Sequence, residues 1–203
     1  MLRESMEEIA RGAEAVIYRE GNELVKDRIK KGYRIPELDT KLRKERTRAE
    51  ARLLTEARSV GVSTPKVLEV SETKVRMELI EGEKLRDILN IRPELAEDIG
   101  TAIGRLHAAG IVHGDLTTSN MILSEGKIFL IDFGLGFFSK KPEDLATDLT
   151  VFKEALRSVH FAVLEKVWVE FCSSYGKEFS GAGKVFKALE SIEKRGRYIF
   201  RGD

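Results

Sequence analysis

Asp115 and Asn120 stand five positions apart in His113-Gly114-Asp115-Leu116-Thr117-Thr118-Ser119-Asn120, and a second acid follows in Asp132-Phe133-Gly134. A carboxylate, an amide and a further carboxylate in that order suit phosphoryl transfer. The first carboxylate lies beside the attacking hydroxyl, while the other two groups hold metal ions against nucleotide phosphates. Such hard oxygen donors fit Mg2+, which takes one or two carboxylates and completes its shell with water and phosphate oxygens. The residues therefore point to ATP and magnesium. Taken singly, either fragment also reads as a reverse turn, since Gly and Asp are ordinary turn residues. Their joint order and spacing carries the chemistry.

Elements must bring these groups together. The apolar run Lys127 to Ile131 predicts a buried strand that presents Asp132 at its end. Met6 to Ile9, Ala15 to Arg19 and Leu24 to Ile29 alternate or cluster apolar residues around turns at Arg11-Gly12-Ala13 and Glu20-Gly21-Asn22, which predicts an antiparallel meander. Gly12 lies where a glycine-rich loop would fold over phosphates, although the full Gly-x-Gly-x-x-Gly pattern is not met. Lys26 ends the third of these strands. A long helix is predicted from Asp39, read as its N-cap, to a stop before Gly61, with Leu42, Ala49, Leu53, Ala57 and Val60 tracing its apolar face. Glu50 borders that face, within reach of Lys26. Glu50 is otherwise one more exposed acid amid arginines, and the later motifs favour the ion pair.

Lys66 to Val70 and Lys74 to Leu79 predict a further hairpin, completing five strands. Met77-Glu78-Leu79-Ile80-Glu81-Gly82 then leaves the sheet for a helical half, and a cleft is expected at that junction. In such a hinge the carbonyl of Glu78 and the amide of Ile80 would face adenine. Met77 would sit behind it, and Ile17, Ile122 and Ile131 above and below. Helices are expected at Lys84 to Asn90, Pro93 to Ala109, Pro142 to Val159, Ala162 to Tyr175 and Lys184 to Lys194.

At 203 residues and 42% hydrophobic content the chain can bury a substantial core. No apolar run approaches the ~20 residues of a membrane-spanning helix, and the charged N-terminus is unlike a secretory signal, so no membrane role is expected. The lone Cys172 fits a reducing cytosol and reads as a packing residue. The net charge of +1 gives no overall basic character, yet twelve basic residues against six acidic ones between Lys26 and Arg58 leave an excess of +6, and Lys194 to Arg201 is also basic. Such runs are usually solvated faces; they also permit contact with RNA or another polyanion.

The order Lys26, Glu50, His113-Gly114-Asp115, Asn120, Asp132-Phe133-Gly134 resembles the protein-kinase superfamily. Closer similarity comes from Val25-Lys26-Asp27-Arg28, Lys31-Gly32-Tyr33-Arg34-Ile35-Pro36-Glu37-Leu38-Asp39, Arg46-Thr47-Arg48-Ala49-Glu50-Ala51 and Arg195-Gly196-Arg197, which resemble the small atypical kinase/ATPase subunit of the KEOPS complex, the PRPK family. The resemblance implies an α+β, bilobal protein-kinase-like fold. Residues 1–80 would form an N-lobe of five antiparallel strands and one long helix, and residues 81–203 a reduced helical C-lobe lacking the activation segment. It also implies that Lys26 binds the α/β-phosphates and is oriented by Glu50, that Asp115 is the base or water-positioning carboxylate, and that Asn120 and Asp132 are magnesium ligands. The implied activity is ATP hydrolysis with serine/threonine kinase activity, supporting threonylcarbamoyladenosine formation on transfer RNA in the cytoplasm. The implied partners are the threonylcarbamoyl-transferring subunit and a small regulatory subunit of KEOPS.

Departures from ordinary protein kinases are equally informative. Gly114 stands where an Arg would read a phosphorylated activation loop, Thr117 replaces the usual Lys, and no Ala-Pro-Glu segment follows Gly134. Loop phosphorylation is therefore not expected to regulate this chain. Two alternatives remain: a small-molecule phosphotransferase of the aminoglycoside or choline type, for which the helical half is short, and a nucleotide-gated scaffold.

Overall fold

The computed structural model describes residues 6–199, with side chains from 6 to 195; Arg201 and the side chain of Arg197, from the basic C-terminal run, lie outside the described residues. Strands β1 (Glu7–Arg11), β2 (Ala15–Glu20) and β3 (Glu23–Arg28) form the expected antiparallel meander. After helix α1 (Pro36–Ser59), β4 (Val67–Val70) and β5 (Lys74–Glu78) add a hairpin, giving one sheet in the order β1-β2-β3-β5-β4. Alternation along β5 buries Val75 and Met77 against α1, while Arg76 points outward and binds Glu20 and Glu23 at 2.7 Å each.

Two details of α1 differ from expectation. Asp39 is not its N-cap: Pro36 takes the first helical position, where its missing N–H is harmless, and Ile35 precedes it. The Asp39 carboxylate is buried and instead accepts from the Lys31 backbone N–H at 3.1 Å and from Arg43 Nε at 2.7 Å, fastening the preceding loop. The buried stripe keeps Leu53 and Ala57 of the expected face but not the rest. Ala49 and Val60 are exposed and Leu42 half-buried, whereas Thr47, Glu50, Ala51, Leu53, Leu54 and Ala57 are buried. Apolar periodicity misplaces the stripe because a charged residue, neutralised across the interface, occupies its centre.

The second half carries β6 (Glu83–Lys84), the short α2 (Leu85–Ile88), a 3-10 turn at Pro93–Leu95, α3 (Ala96–Ala108), β7 (Ile111–Val112), β8 (Met121–Ser124), β9 (Lys127–Leu130), β10 (Phe137–Phe138), α4 (Pro142–Val159), α5 (Leu164–Glu178) and α6 (Ala182–Ile199). Strands β8 and β9 form a hairpin through Glu125 and Gly126, both at positive φ (49° and 74°), as a tight two-residue turn requires. Phe152, Phe171 and Tyr175 are fully buried between α4 and α5, with Trp168 partly buried beside them. Each such ring contributes about 1.5–3 kcal/mol relative to exposure. Cys172 packs here as expected, its thiol pushed up to about 11 by burial. One contiguous core joins Val75 and Met77 of the sheet half to the helices.

Pairing of β10 with β7 was not foreseen from the sequence. Phe137 faces Val112 and Phe138 faces Ile111, and Ser139 N–H donates to Gly110 O at 2.9 Å. The short run after Asp132-Phe133-Gly134 is thus bound back onto the strand that precedes His113, where an activation segment would otherwise extend.

Candidate active site

Lys26 lies on β3 with its side chain buried, and its Nζ donates to Glu50 Oε1 at 2.6 Å and to Asp132 Oδ1 at 2.7 Å. The ion pair expected between β3 and α1 is therefore formed, and it reaches across to the acid at the end of β9. Glu50 is 1% exposed; its second oxygen accepts from Arg28 Nη2 at 2.5 Å. Arg28 was not singled out from the sequence as part of the site. The signal was available: two positions along a strand share one face, so Lys26 and Arg28 point the same way.

Asp132 adopts φ +62°, a left-handed conformation that Asp tolerates better than most residues. Its carboxylate folds back to accept from Gly134 N–H at 3.1 Å and is half-exposed. Partial burial alone would raise this carboxyl, but the Lys26 ammonium outweighs that and holds it below the usual carboxylate range. Phe133 turns inward, 1% exposed, with its ring 4.5 Å from that of His113.

Asp115 and Asn120 are brought together on the loop between β7 and β8. Asn120 Nδ2 donates to the Asp115 backbone carbonyl and to Asp115 Oδ2, both at 2.9 Å. This fixes the amide so that its oxygen is directed away from Asp115. The loop and the end of β9 are held in register by Ile131 N–H donating to Asn120 O at 3.0 Å.

Beneath this loop lies an arrangement that the motifs do not reveal. Asp148 of α4 is buried, and its carboxylate accepts from His113 N–H at 2.7 Å, Gly114 N–H at 2.9 Å and His107 Nε2 at 3.2 Å. Burial would raise this carboxyl, and the bond from His107 leads the contributions that lower it below the usual range. The Tyr175 hydroxyl completes the chain at 2.9 Å from His107 Nδ1. His113 bridges the loop after β7 and the end of β9: Nδ1 accepts from Asp115 N–H at 3.3 Å and Nε2 donates to Ile131 O at 3.1 Å. Those partners require the neutral ring, and burial accordingly pushes its pKa down. An acid within the apolar run Leu145-Ala146-Thr147-Asp148-Leu149 was the available sequence signal.

Gly114 has φ +81°, and a Cβ there would stand 2.3 Å from the Leu135 carbonyl oxygen. The Arg of ordinary protein kinases has no room at this position.

The remaining expected residues are placed as follows. Gly12 is exposed in the turn between β1 and β2, its N–H donating to Ala15 O at 2.9 Å. Met77 is buried. Glu78 ends β5 with its N–H donating to Lys66 O at 2.9 Å, and Ile80 is half-buried in the segment leaving the sheet. Ile17, Ile122 and Ile131 are each half-buried, with Ile17 opposite Lys26 across β2 and β3.

Residues 14–149 match the model of the RIO domain. This chain belongs to the RIO-domain family. The matched span of the RIO domain begins at the turn after β1 and ends one residue beyond Asp148. The chain is 47% identical to the KEOPS complex subunit Bud32 of Pyrococcus abyssi, over 95% of this chain and 96% of that protein. It is 41% identical to a probable serine/threonine-protein kinase BUD32 homolog of Archaeoglobus fulgidus, over 94% and 95%. Similarity at 45% extends to a probable bifunctional tRNA threonylcarbamoyladenosine biosynthesis protein of Methanosarcina acetivorans, covering 95% of this chain but only 36% of that longer protein. Among solved structures, the Rio2 kinase of Chaetomium thermophilum in complex with ADP/Mg2+ superposes with a TM-score of 0.64 at 15% identity, over 97% of this chain and 72% of that one. At that identity the likeness concerns the fold, and the fold is kinase-like.

Proposed function

We propose that this RIO-domain chain is a magnesium-dependent ATPase with serine/threonine kinase activity that works as a subunit of the KEOPS complex in threonylcarbamoyladenosine modification of transfer RNA. One observation carries the catalytic part: Lys26 is held by both Glu50 and Asp132, while Asp115 is fixed beside Asn120 on the adjoining loop.

The donor set fits Mg2+. Asp132 stays ionised, and its Oδ2 takes no hydrogen bond from the described residues; the Asn120 amide oxygen is left free by the two bonds its NH2 makes. Two protein oxygens plus phosphates and water are a usual magnesium shell. When bound, the ion neutralises charge on the phosphate oxygens. Lys26 contacts the α/β-phosphates, with Glu50 orienting its ammonium group. Asp115 orients the attacking water or hydroxyl, and its neighbour Asn120 keeps the carboxylate from rotating away. Adenine lies against the segment from Met77 to Ile80, between Ile17 above and Ile122 and Ile131 below, with Gly12 in the turn over the phosphates. The lobes meet at residues 80 and 81.

The relatives named as KEOPS Bud32 and as a threonylcarbamoyladenosine biosynthesis protein support the assembly, and a cytoplasmic setting goes with this reading. In that assembly the partners are the threonylcarbamoyl-transferring subunit and a small regulatory subunit. No helix of the described residues is long and apolar enough to cross a membrane. Part of the basic excess between Lys26 and Arg58 is met by acids outside that stretch: Lys31 and Arg46 pair with Glu14, Lys44 with Glu72 and Arg58 with Glu78. Contact with transfer RNA then falls to exposed groups such as Lys30 and Arg48 and to the C-terminal run.

Asp132→Ala and Asp115→Asn are each expected to abolish ATP turnover in a protein that retains its circular-dichroism spectrum. Undiminished turnover in either variant sinks the mechanism. Phosphate transfer to a panel of alcohols and amino sugars instead of to protein or water would favour a small-molecule phosphotransferase, which the family match does not support. Wild-type assembly by the Asp132→Ala protein separates a scaffold role from a catalytic one.

A further inference from the structure

Arg28 has a 4% exposed side chain, and its Nε is buried with no hydrogen-bond partner. Its Nη2 donates to Glu50 Oε2 at 2.5 Å and to the Arg46 carbonyl of α1 at 3.4 Å. The same helix turn is tied back by other residues. Arg43 Nη1 donates to the Arg28 carbonyl at 3.4 Å, and Arg46 Nη1 binds Glu14, in the turn after β1, at 2.9 Å. A Cβ added to Gly134 would lie 2.9 Å from Asp132 Oδ1, 3.4 Å from Lys26 Nζ and 3.7 Å from Arg28 Nη2, so all three groups border one point behind the phosphate site.

Charge balance explains why an arginine is needed there. Glu50 and Asp132 carry two negative charges, and Lys26 supplies one positive charge. Without Arg28 the buried Glu50 would have a single cation, and that cation is shared with Asp132. Once Lys26 turns toward phosphates, Glu50 would retain no dedicated partner, and a buried carboxylate in that state is costly. Here Leu135 to Lys141 is bound back onto β7 and touches α1 farther along the helix, where Arg52 lies over the Phe138 ring at 4.8 Å and Leu53 packs beside Gly136, so Arg28 is the second cation on the Glu50 carboxylate itself.

We infer that Arg28 is a positioning residue that holds Glu50, and through it Lys26, in the phosphate-binding arrangement. The guanidinium suits this task because its fork reaches the carboxylate and the helix carbonyl together, which a single ammonium group does less well. The inference rests on the nucleotide reading above.

The test is a double-mutant cycle on ATP turnover with Arg28→Met, Glu50→Gln and the double variant, in full-length protein whose folding is checked by circular dichroism. Arg28→Met is expected to lower kcat/KM on the order of tenfold or more, chiefly through a raised KM for ATP, and to add little once Glu50 is Gln. Arg28→Lys should recover part of the loss, and it serves as the folded variant if Arg28→Met does not fold. Losses that multiply in the double variant, or turnover near wild type in Arg28→Met, overturn the inference. A crystal structure of the Arg28 variant needs no turnover: separation of Glu50 from Lys26 is expected, and a retained 2.6 Å contact overturns the proposal. If the wild-type chain neither binds nor hydrolyses ATP, the functional reading fails, and this distance still decides the role of Arg28.

Discussion

The two walls of the site are held by different physics. On the β3 and α1 side, Lys26, Arg28, Glu50 and Asp132 neutralise one another through side chains. On the helical side, one carboxylate, Asp148, is satisfied largely by backbone N–H groups of the loop it supports. A buried ion pair is replaceable, since two apolar or neutral residues of similar volume can stand in for it with little net change. Backbone donors cannot be replaced by substitution. The difference predicts that damage to the first wall is compensable in stability and damage to the second is not.

The largest effect is expected for Asp148→Ala. It strands the buried His113 N–H and the part-buried Gly114 N–H and removes one of the two partners of the His107 ring, and should cost about 3–5 kcal/mol in urea denaturation and at least ~100-fold in turnover. No second side-chain change should restore it; a suppressor elsewhere in α4 would break the comparison. Glu50→Gln is expected next, at about 3 kcal/mol, because Arg28 is left buried beside a neutral amide. Adding Arg28→Met to that variant should return stability to within roughly 1 kcal/mol of wild type while turnover stays low. Equal instability of single and double variants would remove the distinction between the walls.

Gly114→Ala tests the backbone wall at a second point. The left-handed conformation and the approach of Leu135 O together should cost about 2–4 kcal/mol, measured by thermal unfolding.

The smallest effect is one of pH. His113 and His160 are buried, and burial lowers both imidazoles in the folded chain. The unfolded chain therefore binds more protons in the window below about pH 6.5. Stability is fully present above that value and is lost as pH falls through the lower folded values. His160 accepts from Thr118 Oγ1 at 2.9 Å and donates from Nδ1 to Asn90 Oδ1 at 3.0 Å, so it supports the catalytic loop from outside the ion cluster. His160→Gln should make the acid decline shallower, followed by urea midpoints at pH 7.5 and 5.5; an unchanged decline would place the sensitivity elsewhere.

Much of the site was legible because it is local or because its partners are both side chains. Asp115 and Asn120 share one loop, Asp132 follows a hairpin whose period is plain, and Lys26 and Glu50 are complementary charges on a strand and a helix. Reading failed where the partner leaves no mark in the letters. Asp39 looks like a helix cap by residue type, yet it serves the loop before the helix. The buried stripe of α1 was read correctly at Leu53 and Ala57 but not at Ala49 and Val60, because Thr47 and Glu50 complete it. Asp148 was overlooked because its partners are amide hydrogens, which every residue carries.

The amino-acid order alone determined the five-stranded sheet and the short-range grouping of Asp115 with Asn120, since periodicity and spacing encode these directly, and the family resemblance it carries implied the bilobal plan and the pairing of Lys26 with Glu50. Only the tertiary structure decided that Arg28 completes the charge balance, that β10 folds back onto β7, and that Asp148 anchors the loop at His113 and Gly114. Those depend on long-range contacts and on backbone groups, and neither is written in residue type.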